Sequence, residues 1–285
     1  MLRRTVAATI LTVTATAPIA SADTITLAPV ADATLYQDSF GEPSNGAGTN
    51  VFSGVTRDGN RRRALLRFDL GSIPAGSTIN SVSLKLTCTR QITGEPTLTL
   101  HRVTNSWGEG IADAGEPGGA GTAANTGDAT WSARFFGSQA WTNPGGDFST
   151  TVSAAQIVST LGEYVWTDTQ MATDVQAWLD APETNHGWIL IGSEAETFNA
   201  KRFGSRENLD AAARPVLTVV FTAPPSSCPG DADGSGAVNF SDITSVLANL
   251  GAIYPTTGPG DANADGAVNF SDITEVLANL GSACA

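Results

Sequence analysis

The chain has 285 residues, with 15 Lys plus Arg against 28 Asp plus Glu and a net charge of -13. Nucleic-acid binders need a basic face, and anionic membranes attract basic segments, so this balance argues against both partners. A hydrophobic share of 41% with 30 Gly and 14 Pro describes a turn-rich globular chain, long enough for one large and one small domain.

The N-terminus has the three parts of a secretory signal peptide. Arg3 and Arg4 form a positive n-region, residues 6–17 an apolar, Thr-rich h-region, and Ala20-Ser21-Ala22 a small-x-small cleavage site. Residues 1–22 are therefore expected to be removed. The apolar run is too short to span about 30 Å of hydrocarbon. The mature protein is expected to be secreted, in an oxidising extracellular medium, with attachment to a cell surface only through a partner and no membrane insertion.

Residues 23–222 read as strands. Residues 64–70 form a short apolar run closed by Gly71, and residues 81–88 and 97–103 alternate with period two. Further strands are read at 164–166, 187–191 and 215–221. Only residues 169–179 look helical, with Val175, Trp178 and Leu179 on one face and Pro182 beyond the end. Many short strands and little helix predict two packed antiparallel sheets, a jelly-roll β-sandwich. Residues 104–149 break the pattern, being Gly-rich with Trp107, Trp131 and Trp141 embedded. Those aromatics either stack on a sugar or pack the long loop onto the sheet.

The run Asp58-Gly59-Asn60-Arg61-Arg62-Arg63-Ala64-Leu65-Leu66-Arg67-Phe68-Asp69-Leu70 resembles the DNRLRE domain family. Trp107-Gly108-Glu109-Gly110, Gly127-Asp128-Ala129-Thr130-Trp131, Asn185-His186-Gly187-Trp188 and Arg202-Phe203-Gly204-Ser205-Arg206-Glu207-Asn208 extend the likeness. The motif departs where Arg63-Ala64 stands in place of Arg-Glu. The resemblance implies a jelly-roll domain similar to carbohydrate-binding modules, some of which bind acidic polysaccharides. Arg57, Arg61, Arg63 and Arg202, with Trp107, Trp131 and Trp141, are the candidate glycan contacts, because guanidinium forks grip carboxylates and rings stack on sugars. On a strand Arg61 and Arg63 point opposite to Arg62, so the three cannot line one site. Ion pairing with Asp and Glu at a sheet edge is the competing reading.

No Lys or Arg follows Arg214, while seven acids do. Residues 223–227 are a proline-stiffened linker, and 228–285 a second domain. Within it, residues 230–251 and 260–281 agree at 18 of 22 positions at a spacing of 30. Each copy carries oxygen-bearing groups at positions 1, 3, 5, 7, 9 and 12 of a loop with Gly at six, the arrangement that surrounds Ca²⁺. The first copy offers Asp231, Asp233, Ser235, the Ala237 carbonyl, Asn239 and Asp242. The second offers Asp261, Asn263, Asp265, the Ala267 carbonyl, Asn269 and Asp272. Two bound Ca²⁺ ions are expected, with affinity of roughly micromolar to sub-millimolar.

One amphipathic helix follows each loop: Ile243, Val246, Leu247, Leu250, and then Ile273, Val276, Leu277, Leu280. Pro and Gly before each loop forbid the entering helix of an ordinary EF-hand. Loop then helix, twice, with Asp at position 12, resembles the type I dockerin family. That resemblance implies calcium-dependent folding and docking to a cohesin-like partner, with contacts at loop positions 10 and 11. Here these are Phe240-Ser241 and Phe270-Ser271, where the family often has Ser-Thr. Each Phe either anchors a partner or packs between the halves. Cys228 and Cys284 bracket the repeats and are expected to form a disulfide, worth about 4 kcal/mol for a loop of about 55 residues. Cys88 is then a buried thiol or an intermolecular partner.

No catalytic motif is present among the two histidines, His101 and His186, or the Ser and Cys residues. A carboxylate pair for glycoside cleavage cannot be read from spacing, since its separation is a property of the fold. The sequence thus predicts a secreted adaptor that binds an extracellular, and in one form acidic, polysaccharide and docks through calcium-loaded loops. The alternatives are a structural matrix or cell-surface component, or a polysaccharide lyase or hydrolase acting on acidic glycans.

Overall fold

The computed structural model describes residues 22–39, 41–223, 228–254 and 257–284. The signal peptide read at 1–22 lies outside them up to residue 21, as does the linker from 224 to 227. Two compact units divide the described chain, one ending at 223 and one beginning at 228. No helix in them is long and apolar enough to cross a membrane.

The first unit is mainly β. Its strands are β1 (Asp23–Leu27), β2 (Pro29–Tyr36), β3 (Pro43–Ser44), β4 (Asn50–Val55), β5 (Arg61–Phe68), β6 (Thr78–Gln91), β7 (Thr97–Val103) and β8 (Thr122–Ala123). They continue as β9 (Ala133–Phe135), β10 (Gln139–Ala140), β11 (Phe148–Ile157), β12 (Gly162–Thr167), β13 (Trp188–Ile191), β14 (Lys201–Gly204) and β15 (Val216–Thr222), with helix α1 (Thr169–Asp180) between β12 and β13. One antiparallel sheet runs β1-β15-β6-β14-β4-β5-β13-β7-β11, with β12 on β6 and β2 on β5. It curls so that its two halves face each other, as the layers of a β-sandwich do. Strand β4 is the hinge, pairing β14 on one side and β5 on the other.

Alternation explains which side chains fill the space between the layers. On β6, Val82, Leu84, Leu86 and Cys88 point inward and Ser81, Ser83 and Thr87 outward. Leu217 and Val219 of β15 and Phe203 of β14 join that layer, opposite Ala64, Leu66, Leu100, Trp188 and Leu190. Helix α1 starts at Asp168, whose side chain accepts from the Gln170 amide, and it seats Met171, Val175 and Trp178 in the same core. Trp178 meets Trp188 edge-on at 4.5 Å. Cys88 is the buried free thiol.

A second cluster lies on the outer face of the β5–β13 layer. There Leu35, Leu65, Val103 and Ile189 are covered by Trp107, Ala129 and Trp141. The segment 104–149 is thus the lid of a second small core.

The other unit repeats one design twice. Helices α2 (Phe240–Ala248) and α3 (Phe270–Ala278) each follow an acidic loop. The loops are tied reciprocally: Gly230 donates to the Ala262 carbonyl and Gly260 to that of Ala232. Val238, Val246, Ala232 and their counterparts Val268, Val276, Ala262 form the core. The Cys228–Cys284 disulfide closes the ends.

The apolar helix faces are a correction. Val246 and Val276 are buried, Ile243 and Ile273 half-buried, but Leu247, Leu250, Leu277 and Leu280 are exposed. Two nine-residue helices meeting through a pair of valines leave no room for the outer leucines.

Candidate functional site

On β5 the side chains alternate as expected. Arg62 turns towards the interior, its guanidinium 4.8 Å from the Tyr36 ring and donating to the Gln37 carbonyl at 2.9 Å. Burial pulls its pKa down. Arg61 and Arg63 turn outward to the same acid. Arg63 donates through Nε and Nη2 to both oxygens of Glu194, at 2.8 and 2.9 Å, and through Nη1 to the Gly145 carbonyl at 2.7 Å. Its plane lies 4.8 Å from the Trp131 ring and 5.4 Å from Phe148. Arg61 Nε stands 3.0 Å from Glu194 Oε2, yet its N–H makes no hydrogen bond, so that contact is an ion pair without directional bonding. The Arg61 side chain is 40% exposed against 12% for Arg63.

Four residues before Arg61, Arg57 is exposed on the turn closed by the Thr56 amide and the Asn60 carbonyl. Its guanidinium lies 4.6 Å from the Phe198 ring. Phe198 belongs to the 192–200 segment that also carries Glu194, and its amide donates to the Thr56 carbonyl. The structure therefore brings Arg61, Arg63 and Trp131 together around Glu194, with Arg57 on the adjoining turn against Phe198; spacing revealed neither Glu194 nor Phe198. Arg202 lies elsewhere, paired with Glu116 and Thr89 at 3.0 Å each.

Trp107 and Trp141 are corrections. They are 2% and 4% exposed, and their indole N–H groups donate to the His186 and Thr130 carbonyls at 2.8 and 2.9 Å. Neither offers a face to a sugar; both hold segment 104–149 onto the sheet. His101 is engaged by the Ser149 carbonyl and Thr99 Oγ1. His186 is pulled down in pKa by burial and then by Arg67, Arg134 and Arg102.

In the C-terminal unit the two loops share one hydrogen-bond scheme. Asp231 Oδ1 accepts from the Ser235 amide at 3.0 Å and Oδ2 from Gly236 at 2.9 Å; Asp261 accepts from Asp265 and Gly266 at 3.1 and 3.0 Å. Gly236 and Gly266 sit at φ 83° and 85°, where a side chain would be strained. Asp242 and Asp272 are fully buried. Each accepts from the amide two residues after the loop's first Asp and from the helix N-cap amide, closing a capping box with Asn239 or Asn269.

One carboxylate oxygen each from Asp231, Asp233 and Asp242 lies within 4.8 Å of the others. Oxygens at 2.3–2.6 Å from one Ca²⁺ stand no more than about 5 Å apart, so this donor set fits such an ion. Ser235 and the Ala237 carbonyl, and in the second loop Asn263, Asp265 and Ala267, stand at other expected ligand positions, while Asn239 and Asn269 cap the helices by accepting from the Ser241 and Ser271 amides; among the described residues the second loop's carboxylates form no such group. Phe240 and Phe270 are 72% and 74% exposed at the helix starts, beside exposed Ser241 and Ser271, and take no part in the core between the halves.

Residues 23–126 match the model of carbohydrate-binding module family 96. The match runs from β1 to just past β8, about a third of the chain, and includes Arg57, Arg61, Arg63 and Trp107. It supports carbohydrate binding by the β unit. No curated protein matches the chain.

Proposed function

We propose that this is an extracellular, non-catalytic polysaccharide-binding protein whose C-terminal unit is a dockerin-like, calcium-dependent docking module. The family match over residues 23–126 carries the first half. The rim of Arg57, Arg61 and Trp131 supports a carboxylate-bearing glycan: among the described residues Arg57 is in no ion pair, and Arg61 is held by the Glu194 ion pair and a long 3.4 Å bond from Nη1 to Gln37 Oε1. An arriving uronate can pair with the 40% exposed Arg61 side chain while Arg63, locked on Glu194, keeps Trp131 in place.

Affinity electrophoresis of the full chain in gels containing uronic-acid, neutral or amino-sugar polysaccharides tests this reading. Retardation by the uronic-acid gel is expected, weakened about fivefold by Arg57→Ala or Arg61→Ala, each removing about 1 kcal/mol. Migration unaffected by every polysaccharide would sink the glycan reading; product release in the same gels would replace it with the enzymatic one.

The docking half is supported by the converging carboxylates of the first loop, by the matching hydrogen-bond scheme of the second, and by apolar side chains left outside the core. Phe240, Leu247 and Leu250 in one copy, and Phe270, Leu277 and Leu280 in the other, are all exposed. A set of large apolar groups this size on a small unit fits a protein partner, here a cohesin-like one. Calcium titration of the full chain, followed by calorimetry and ellipticity at 222 nm, is expected to show helix gained with two saturable sites. Asp231→Ala and Asp261→Ala should each remove one site. Helix content indifferent to chelator would reduce the repeats to a disulfide-closed spacer.

A further inference from the structure

The β unit contains a second group of three carboxylates, brought together from remote parts of the chain. Asp32 lies on β2, Glu109 in segment 104–149 and Glu207 just after β14. One oxygen of each lies within 4.8 Å of the other two. Among the described residues one cation, Arg206, pairs with two of them: its Nε and Nη2 fork onto Glu109 at 2.6 and 2.8 Å, and its Nε is 2.7 Å from Glu207 Oε1. Three negative charges against one positive leave two uncompensated.

The bonding is incomplete in the same sense. Asp32 is fully buried. Its Oδ2 accepts from the Arg206 amide at 2.7 Å, while its Oδ1 has no hydrogen-bond partner; buried Glu207 Oε2 has none either. Buried carboxylate oxygens are costly without a donor. A bound cation answers both deficits at once.

We propose that Asp32, Glu109 and Glu207 hold a divalent cation, calcium by preference, that fixes segment 104–149 and the 205–208 turn to strand β2. Oxygen ligands alone, gathered from a strand and two loops, suit the adaptable coordination of calcium better than the strict octahedron of magnesium. The local backbone is built for close approach there: a side chain on Gly46 would strike the Glu109 carbonyl at 1.8 Å. The site is separate from the C-terminal loops and stands whether or not those bind calcium.

The test uses the full chain and separates the two units by their probes. All six tryptophans lie between residues 107 and 188, so their fluorescence follows the β unit alone. In a chain carrying Asp231→Ala and Asp261→Ala, elemental analysis after desalting is expected to find one calcium per chain. The tryptophan-detected melting midpoint should rise by several degrees with millimolar calcium over EGTA, and less with magnesium. Glu207→Gln, which leaves the Arg206–Glu109 fork intact, should abolish both the ion and the shift; Asp32→Asn should do the same where it folds. No retained metal, together with a tryptophan transition equal in calcium and EGTA, would overturn the proposal. Failure of the C-terminal loops would show instead as ellipticity indifferent to calcium, an independent outcome.

Discussion

Asp147 shows how single side chains hold the long segment in place. Its Oδ1 accepts from the Asn143 amide and side chain at 2.8 and 3.1 Å, and its Oδ2 from the Thr142 amide and Asn105 Nδ2 at 2.8 and 3.0 Å. Burial raises its pKa, but the Thr142 and Asn143 donors outweigh it and hold the carboxyl below the ordinary range. A depressed folded-state pKa contributes stability above the unfolded value near 4, and that stability is lost as pH falls through the folded value. Asp147→Asn is expected to cost about 1–2 kcal/mol at neutral pH and to flatten the acid-side loss, as read by urea unfolding at pH 7 and pH 3. In the repeats, Gly234 occupies φ 73° at loop position four, and Ala264 holds φ 59° at the same position of the second copy. A left-handed alanine is strained. Ala264→Gly is expected to stabilise the C-terminal unit by about 1 kcal/mol, measured as a higher calcium-loaded melting midpoint in ellipticity.

At the level of elements, strands with clean alternation or an apolar run were legible. Expectation and structure coincide on β7 and agree within a few residues on β5, β6, β12, β13 and β15. Strand β2 escaped because polar Asp32 and Thr34, fully buried in it, interrupt its apolar pattern. Strand β11 escaped because it is polar, lies at the sheet edge and slips register twice against β7. Helix α1 was legible from its apolar face and its Pro stop. The disulfide joins residues 56 apart, a span for which the chain-entropy model gives about 4 kcal/mol. Replacing Cys228 and Cys284 by Ser is therefore expected to move the calcium midpoint of helix formation to higher concentration, with the tryptophan transition unchanged. A shift in the tryptophan transition instead would show that the clasp acts beyond its own unit.

At the level of the whole molecule, each unit has its own core and its own chemistry. Under the proposed function, glycan binding belongs to the rim on β5 and docking to the repeats. Asp231→Ala with Asp261→Ala is accordingly expected to remove the calcium-linked helix gain while leaving retardation in the polysaccharide gel within about twofold of wild type. Loss of retardation in that variant would mean that the two activities are not separable.

Sequence alone was enough where the chemistry is contiguous. Asp231, Asp233 and Asp242 converge because a twelve-residue loop with Gly at six brings alternate positions to one centre, and spacing encodes that directly. The cysteine pairing was equally readable, since only two cysteines flank the repeats. In the β unit, tertiary structure decided. Glu194 reaches Arg61 and Arg63 across more than 130 residues, and Asp32, Glu109 and Glu207 meet from three remote segments. Whether Trp107, Trp131 and Trp141 face solvent or core depends on how segment 104–149 lies on the sheet. That is fixed by long-range burial and by donors such as those around Asp147, which leave no periodic signal in the chain.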